Sequence, residues 1–355
     1  MQTFSCACGS LIFFENSQCL SCGRELGFIP ESRTLSALES AADNTYRALA
    51  DKGIYRKCGN YSQYNVCNWM VAEQEEQVFC VSCRLNRMIP DLSDAQNLRL
   101  WHRIEYAKRR LIYSCLALGL PFHNGTEGLT FQFLADDASG NEFSDNEFES
   151  HQIVTGHNHG LITINIREAE ASIREHVRES LNERYRTLLG HFRHESGHYF
   201  WTRLVQDNEV LPQVRALFGD ETSEYQQALA RYYQEGPAPD WQNHYISAYA
   251  SAHPVEDWAE TWAHYLHMMD TVDTAHAYGF QTIIPVTTNL TSSSGEGTRP
   301  NFDDLFNEWG ALSTALNALN RSMGLEDAYP FIISAPVAAK LRLIHEIVLS
   351  AKDKY

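Results

Sequence analysis

The residues best suited to chemistry lie in the stretch Leu189–Trp201, where His194, Glu195 and His198 follow the pattern His-Glu-x-x-His. On an α-helix, residues four apart lie on one face about one turn apart, so both imidazoles can reach one metal ion. Glu195 would then project beside the open coordination position. The spacing predicts a hydrolytic zinc site, although two histidines that cap or pack a helix would give the same pattern. His191 lies one turn earlier, and we expect it to contact a ligand or solvent rather than the metal.

A second segment, residues 253–267, bears on the third ligand, because zinc hydrolases normally use three protein ligands and leave the fourth position to water. Glu256 and Glu260 are four apart there, on one face of a helix that Pro254 is suited to begin. The surrounding Trp, Ala and Leu residues make the segment too apolar for a solvated acidic face. It resembles the glutamate-zincin arrangement, and by that resemblance Glu256 is a zinc ligand and Glu260 orients a zinc-bound histidine.

The whole chain resembles a bacterial family of zinc-binding metallopeptidases that carry an N-terminal zinc ribbon. The resemblance rests on three segments and covers nearly all of the sequence: residues 185–199, 254–260 and 316–324. It implies a zincin-like metallopeptidase domain. The segment Ser247–Glu260 is also similar to the lethal-factor-type zinc proteases, in which a tyrosine seven residues before the glutamate faces the metal. Tyr249 has that spacing. Tyr245 lies four residues earlier on the same face of a predicted helix, and it is the other candidate to face the metal. For both tyrosines, the alternative is that the ring packs against neighbouring aromatic residues.

Eight of the nine cysteines lie in the first 83 residues, in two groups of four. The N-terminus lacks the basic start and apolar core of a signal peptide, so we expect the protein to stay in a reducing compartment. In that compartment, Cys-x-x-Cys pairs favour structural zinc sites over disulfides. Gly9 and Gly23 each follow a cysteine, where a metal-gripping turn needs a permissive backbone. The predicted zinc ligands are Cys6, Cys8, Cys19 and Cys22 for a zinc ribbon, and Cys58, Cys67, Cys80 and Cys83 for a second site.

Composition limits the possible partners. The 355 residues carry a formal net charge of -17, which argues against a nucleic-acid-binding surface because phosphate contacts need clustered Lys and Arg. No apolar run approaches the roughly 18–20 residues that span a bilayer. We therefore expect a cytoplasmic protein that acts on a peptide or protein substrate, with no membrane partner. A protein partner would bind through the zinc ribbons.

Hydrophobic periodicity and the cysteine spacing predict three regions: a zinc ribbon (1–30), a linker helix with a second four-cysteine module (31–92), and the zincin-like domain (93–355). The linker helix is expected over Ser36–Asp51, which is polar and Ala-rich. The fold class is α+β, mainly α, with a small sheet that includes Gly160–Asn165 as either a cleft-edge or a core strand. His157 and His159 precede that strand and are expected to be exposed turn residues. The remaining predicted elements are a helix from Ser93 ended by Pro121, the strand Leu129–Ala135, and helices over residues 184–205, 303–323 and 335–351.

The resulting functional hypothesis is zinc-dependent hydrolysis of peptide or isopeptide bonds. Zinc held by His194, His198 and Glu256 would activate a water, Glu195 would act as general base, and Tyr249 would stabilise the oxyanion. The alternative is a non-catalytic interaction protein whose ribbons bind a partner and whose zincin domain is a scaffold.

The ligand groups predict one catalytic zinc and one or two structural zinc ions. If both cysteine groups bind metal, the purified chain carries about three zinc ions, one per ligand set. Elemental analysis of protein prepared without chelator measures this number. A single metal per chain, or eight cysteines that react freely with a thiol reagent in the folded protein, would contradict the two-site interpretation.

Overall fold

The computed structural model describes residues 2–123, 128–135, 156–180, 186–280 and 301–352. Helices make up about half of these residues, and several sheets accompany them. The chain divides into an N-terminal unit, Thr3–Leu204 with the end of the chain, and a C-terminal unit, Val205–Ser350 with the first two residues. Among the described helices, none has the length and apolar character needed to cross a bilayer.

The N-terminal unit begins with two antiparallel sheets. Strands β1 and β2 form a short ribbon, and five strands then follow one another in sequence order, each antiparallel to the next. A helix, α1, lies between the last two strands. The elements are β1 (Phe4–Ser5), β2 (Leu11–Ile12), β3 (Leu26–Ile29), β4 (Thr34–Ser40), β5 (Thr45–Ala48), β6 (Ile54–Lys57), α1 (Gly59–Tyr64) and β7 (Met70–Ala72).

The predicted linker helix over Ser36–Asp51 is wrong, because this segment forms the β4–β5 hairpin. Asp43 and Asn44 both have positive φ, 53° and 58°, which suits a tight hairpin turn and interrupts a helix. Ser36 is buried, and its hydroxyl accepts a hydrogen bond from the amide of Ala50. The Ala-rich composition favours a helix locally, but strand pairing and this turn decide the structure.

Helix α2 (Ala95–Leu118) follows β8 (Asn86–Met88), and it confirms the helix predicted from Ser93. The Asp94 side chain caps its start by accepting from the amide of Gln96 at 2.7 Å, and Gly119 ends it with φ 66°. Cys115 is fully buried on its apolar face, in agreement with a role in the core.

A four-stranded mixed sheet has the order β10-β11-β9-β8, with β11 parallel to β9, β9 parallel to β8, and β10 antiparallel to β11. Both predicted strands are confirmed, as β9 (Thr130–Leu134) and β11 (Leu161–Asn165). Because β11 is flanked on both sides, it is a core strand. Within the described residues, β10 (Gly156–Asn158) lies at the edge of this sheet.

The sheet supports helix α4 (Leu188–Leu204), which follows α3 (Ala171–Ser180) and carries the His-Glu-x-x-His residues. Phe131 and Phe133 alternate with half-buried residues on β9 and both contact Phe192 of α4, with ring centroids 5.6 and 6.3 Å apart. The Tyr199 hydroxyl donates to the Pro121 carbonyl at 3.0 Å. Phe192 and Tyr199 are seven residues apart and therefore lie on one face of α4. The aromatic packing and this hydrogen bond together hold that face in place and limit the rotation of the helix.

The C-terminal unit is helical in its described part. Its core includes Trp258 and Trp262, which are fully buried on α7. Asp257 of α7 and Lys340 of α9 form a buried ion pair, with Nζ 2.6 Å from Oδ2. Helices α8 and α9 confirm the predictions over 303–323 and 335–351. The helices are α5 (Leu211–Phe218), α6 (Tyr225–Glu235), α7 (Pro254–Ala277), α8 (Phe302–Ser322) and α9 (Ala335–Lys352).

A second buried ion pair lies inside α2, between Glu105 and Lys108. The ammonium Nζ is 3.0 Å from Oε1 of the carboxylate, and both side chains are 0% exposed. The same oxygen accepts from Asn86 at 2.6 Å and from the Trp101 indole at 3.2 Å. Because Asn86 belongs to β8, this network ties α2 to the four-stranded sheet.

We expect Lys108→Met to destabilise the protein by about 3–5 kcal/mol, because it leaves the Glu105 carboxylate buried without its cation. The double variant Lys108→Met with Glu105→Gln should recover part of that loss, since no uncompensated charge remains. Urea unfolding measures the free energy of unfolding of each variant. Equal losses for the single and double variants would show that the charge of Glu105 does not determine the cost.

Candidate metal centres and catalytic helix

The first cysteine group lies on the two turns of the N-terminal ribbon. The sulfur atoms of Cys6 and Cys22 are 3.6 Å apart, and those of Cys8 and Cys19 are 3.8 Å apart. A tetrahedral zinc site with Zn–S distances near 2.3 Å places its sulfurs about 3.8 Å apart, so this geometry fits zinc. Gly9 has φ 86°, and its amide donates to the Cys6 carbonyl at 2.8 Å, which confirms the predicted permissive turn.

The second cysteine group is buried at all four positions, and its sulfurs also lie within 4.8 Å of one another. Cys58 directly precedes α1 and its sulfur accepts from the amide of Cys80 at 3.4 Å, while Cys67 lies 3.8 Å from Cys80. Burial raises the pKa of the Cys80 thiol, so four thiolates at this position need a cation to be stable. Cys83 also lies 4.0 Å from a carboxylate oxygen of Glu105, next to the buried α2 network.

The two groups differ in exposure. Cys8 and Cys22 are exposed, whereas Cys58, Cys67, Cys80 and Cys83 are buried. Cys6 and Cys19 of the first group are buried as well, so the first group is half exposed and the second is enclosed in the core.

Helix α4 brings its two histidines together. The Nε2 atoms of His194 and His198 are 3.3 Å apart. Two imidazoles at Zn–N distances of 2.0–2.1 Å in a tetrahedral site have nitrogens about 3.3 Å apart, so the pair fits one zinc ion. Glu195, between them in sequence, is buried. All three residues of the His-Glu-x-x-His pattern lie on α4, with the two histidines one turn apart.

His191 lies beside Glu195 and is half-buried. Its Nε2 is 3.3 Å from Oε1 of Glu195, and its Nδ1 is 2.6 Å from Oε2 of Glu168. Burial lowers the pKa of His191, but Glu168 and Glu195 outweigh this effect and raise the pKa to about 10.

Glu195 shows the opposite balance. Burial raises the pKa of Glu195, but hydrogen bonding by His191 and the charges of His194 and His198 outweigh this effect and lower the pKa to about 2. Glu195 is therefore held as a carboxylate. No local sequence pattern points to Glu168, because its contact with His191 joins residues 23 positions apart.

His157 is not the exposed turn residue predicted from the sequence, because it lies half-buried on the edge strand β10. Its ring stacks on that of His198 at a centroid distance of 6.1 Å, and its Nε2 accepts from the amide of Gly160 at 2.8 Å. Burial and the charge of His198 lower the pKa of His157 to about 4. His159, in contrast, is exposed with φ 46°, as expected for a turn.

The C-terminal unit presents the two predicted carboxylates on α7. Pro254 is the first residue of that helix, and the His253 side chain caps it by accepting from the amide of Val255 at 3.2 Å. Glu256 is 1% exposed, and one of its oxygens accepts from the Tyr225 hydroxyl at 2.7 Å. Tyr225 lies at the start of α6, and no sequence motif identified it. Glu260, one turn after Glu256, accepts from the Ser247 hydroxyl at 2.6 Å.

Tyr245 and Tyr249 do not share a helical face, because Tyr249 begins a short 3-10 turn, Tyr249–Ser251, and Tyr245 precedes it outside a helix. The Tyr245 ring lies 4.6 Å below the Lys340 ammonium. The Tyr249 ring packs edge-on against Tyr232 at 5.7 Å. Burial, followed by the negative charge of Glu256, raises the pKa of Tyr249, so its phenol keeps a proton that it can donate. Ser247, bound to Glu260, also accepts from the amide of Ala250 and thereby fixes this turn.

Comparisons with known proteins agree with this picture. A family model described as "Putative zinc-binding metallo-peptidase" matches residues 97–347, and a model described as "zinc-ribbon domain" matches residues 3–94. The second match includes both cysteine groups. Similar proteins are the "Uncharacterized protein Mb2598c" of Mycobacterium bovis and the "Uncharacterized protein Rv2568c" of Mycobacterium tuberculosis. Each is 38% identical over 360 residues, which cover 98% of this chain and 95% of the relative. No solved structure matches this chain. The chain therefore belongs to the family described as zinc-binding metallo-peptidases, and it begins with a zinc-ribbon domain.

Proposed function

We propose that this protein hydrolyses peptide or isopeptide bonds with a zinc-activated water. The observation that carries the proposal is helix α4, on which two imidazole nitrogens lie 3.3 Å apart and a buried carboxylate lies beside them. This combination fits one zinc ion and a general base. A purely structural site has no need of a carboxylate at position 195.

The proposed ligands of the catalytic zinc are His194, His198 and Glu256, in a zincin-like domain over residues 93–355. Glu256 and Glu260 lie one turn apart on α7. By the resemblance to the glutamate-zincin arrangement, Glu256 binds the metal and Glu260 orients a zinc-bound histidine. The zinc, when bound, supplies a water whose pKa falls from about 15.7 toward 7, and it polarises the scissile carbonyl.

Glu195 accepts a proton from the attacking water as the water oxygen bonds to the carbonyl carbon. It then delivers that proton to the leaving nitrogen as the carbon–nitrogen bond breaks. Tyr249 donates a hydrogen bond to the oxyanion. The raised pKa of Tyr249 supports this role, because a donor must stay protonated.

The cysteine groups serve separate zinc modules, one over residues 1–30 and one over residues 31–92. We propose that they stabilise the N-terminal region or recruit a protein substrate. The competing proposal is a non-catalytic adaptor that binds a partner through the ribbons. Glu195 argues against it, because an adaptor gains nothing from a buried carboxylate beside the histidine pair.

Substitution of the base and of a ligand should have different effects. Glu195→Gln should keep the catalytic zinc and lose hydrolysis, because Glu195 acts on water. His194→Ala and Glu256→Ala should lose that zinc while the ribbon zinc ions remain, because both residues donate electron pairs to the ion. Elemental analysis measures the zinc content. New protein termini, identified in a proteome exposed to wild-type or Glu195→Gln protein, measure the activity.

Two outcomes would change the proposal. New termini that appear equally with Glu195→Gln would remove Glu195 from the mechanism. Full zinc occupancy in Glu256→Ala, with loss of zinc in Glu260→Ala, would exchange the roles of these two glutamates.

Tyr249→Phe should reduce turnover of an identified substrate by on the order of a hundred- to a thousand-fold, the usual effect of losing one oxyanion donor. Zinc content should not change, and KM should change much less than turnover. Tyr245→Phe is the matched control, because it removes the neighbouring phenol hydroxyl and keeps the ring that packs against Lys340. A loss of turnover in Tyr245→Phe alone would transfer the role to that residue.

A further inference from the structure

Glu168, His191 and Glu195 form a continuous acid–histidine–acid chain in the N-terminal unit. Each ring nitrogen of His191 faces a carboxylate oxygen, at 2.6 Å for Glu168 and 3.3 Å for Glu195. The His191 side chain is 19% exposed, Glu168 18% and Glu195 8%, so water competes weakly for these contacts.

The Glu168 end of this acid–histidine–acid chain is anchored by backbone and side-chain contacts. Glu168 lies in the 3-10 turn Ile166–Ala169, which directly follows β11. Asn165 caps this turn by accepting from the amide of Arg167 at 3.0 Å. Arg174 of α3 donates to the Glu168 carbonyl at 2.9 Å, and Arg103 of α2 donates to the Ala169 carbonyl at 3.1 Å. A carboxylate on such a turn can hold an imidazole in one orientation.

The other end of this acid–histidine–acid chain is Glu195, the proposed general base. His191 and Glu195 are four residues apart on α4, on the same face as His194 and His198. A carboxylate can rotate about its last side-chain bond, and an N–H donor on one oxygen restricts that rotation. The contact with His191 involves Oε1, so the orientation of the second oxygen is determined at the same time.

We propose that His191, held by Glu168, is a positioning residue that orients the Glu195 carboxylate toward the attacking water. The inference rests on the proposed function, because it assigns a task to Glu195. Glu168 acts only through His191. A histidine that merely joined the 3-10 turn to α4 would stabilise the fold without affecting the chemistry of Glu195.

Acetohydroxamate is a suitable probe, because it binds an open zinc position through two oxygens and its hydroxyl proton interacts with a neighbouring carboxylate. Its dissociation constant therefore reports the placement of Glu195 without a known substrate. Isothermal titration should be made on full-length, zinc-loaded protein, with zinc content measured for each variant. The variants are His191→Phe, Glu168→Gln, their combination and Glu195→Gln. His276→Phe is the matched control, because it breaks a His–Glu pair with Glu308 at the end of α7.

His191→Phe should weaken acetohydroxamate binding roughly tenfold or more at unchanged zinc content, the scale of a hydrogen bond to a charged group. Glu168→Gln should weaken binding less, and it should add nothing in the His191→Phe background because its effect passes through His191. His276→Phe should bind like wild type.

Wild-type affinity in zinc-loaded His191→Phe would overturn the positioning role while leaving the proposed function intact. Additive losses in the double variant would overturn the assignment of Glu168. If His191→Phe does not fold, Glu168→Gln alone decides, since wild-type affinity there contradicts the inference. A wild-type protein that holds zinc on α4 but does not bind acetohydroxamate would contradict the open zinc site, and with it both proposals.

Discussion

The orientation of helix α4 is the constraint on which the proposed chemistry depends. Two imidazoles can share one ion only if their nitrogens converge, and those of His194 and His198 are 3.3 Å apart. Phe192 packs against the β9 phenylalanines, and Tyr199 is hydrogen-bonded to the Pro121 carbonyl. These contacts leave α4 little freedom to rotate. A rotation would move both imidazoles and Glu195 together, because all three belong to this helix.

In the N-terminal region, the physical question is how a small core is stabilised. Its short strands enclose a small core, and metal ligation is an effective way to stabilise such a region. The two cysteine groups differ in exposure, because two cysteines of the first group are exposed whereas all four of the second are buried. The buried group also adjoins Glu105, whose network with Lys108 and Asn86 joins α2 to the sheet. The second cysteine group and this buried hydrogen-bond network thus lie in the same part of the core.

The C-terminal unit combines a hydrophobic core with polar contacts to the two candidate carboxylates. Trp258 and Trp262 bury α7, while Glu256 and Glu260 accept hydrogen bonds from Tyr225 and Ser247. Both hydroxyl donors limit the orientations of the carboxylates. Since Ser247 also fixes the turn that begins at Tyr249, one serine links the second glutamate to the candidate oxyanion donor.

Local patterns in the sequence determined the elements that depend on nearby residues. The His-Glu-x-x-His spacing predicts convergent imidazoles because a helix has a fixed period, and Pro254 predicts the start of α7 because its φ and missing N–H suit the first turn. The cysteine spacings likewise predicted both sulfur clusters. The composition of Ser36–Asp51 predicts a helix, but the segment forms two paired strands. The Asp43–Asn44 turn lets these strands exchange hydrogen bonds, and a prediction from composition does not include such contacts.

Only the tertiary structure decided which distant residues meet. Glu168 reaches His191 because the turn after β11 lies beside α4, and His157 stacks on His198 because β10 also contacts α4. Tyr225 meets Glu256 because α6 lies beside the start of α7. The sequence by itself determined the types of the candidate ligands and their helical spacing, which follow from residue chemistry and backbone geometry. The partners that orient those groups depend on packing between elements far apart in the chain, for which local periodicity carries no information.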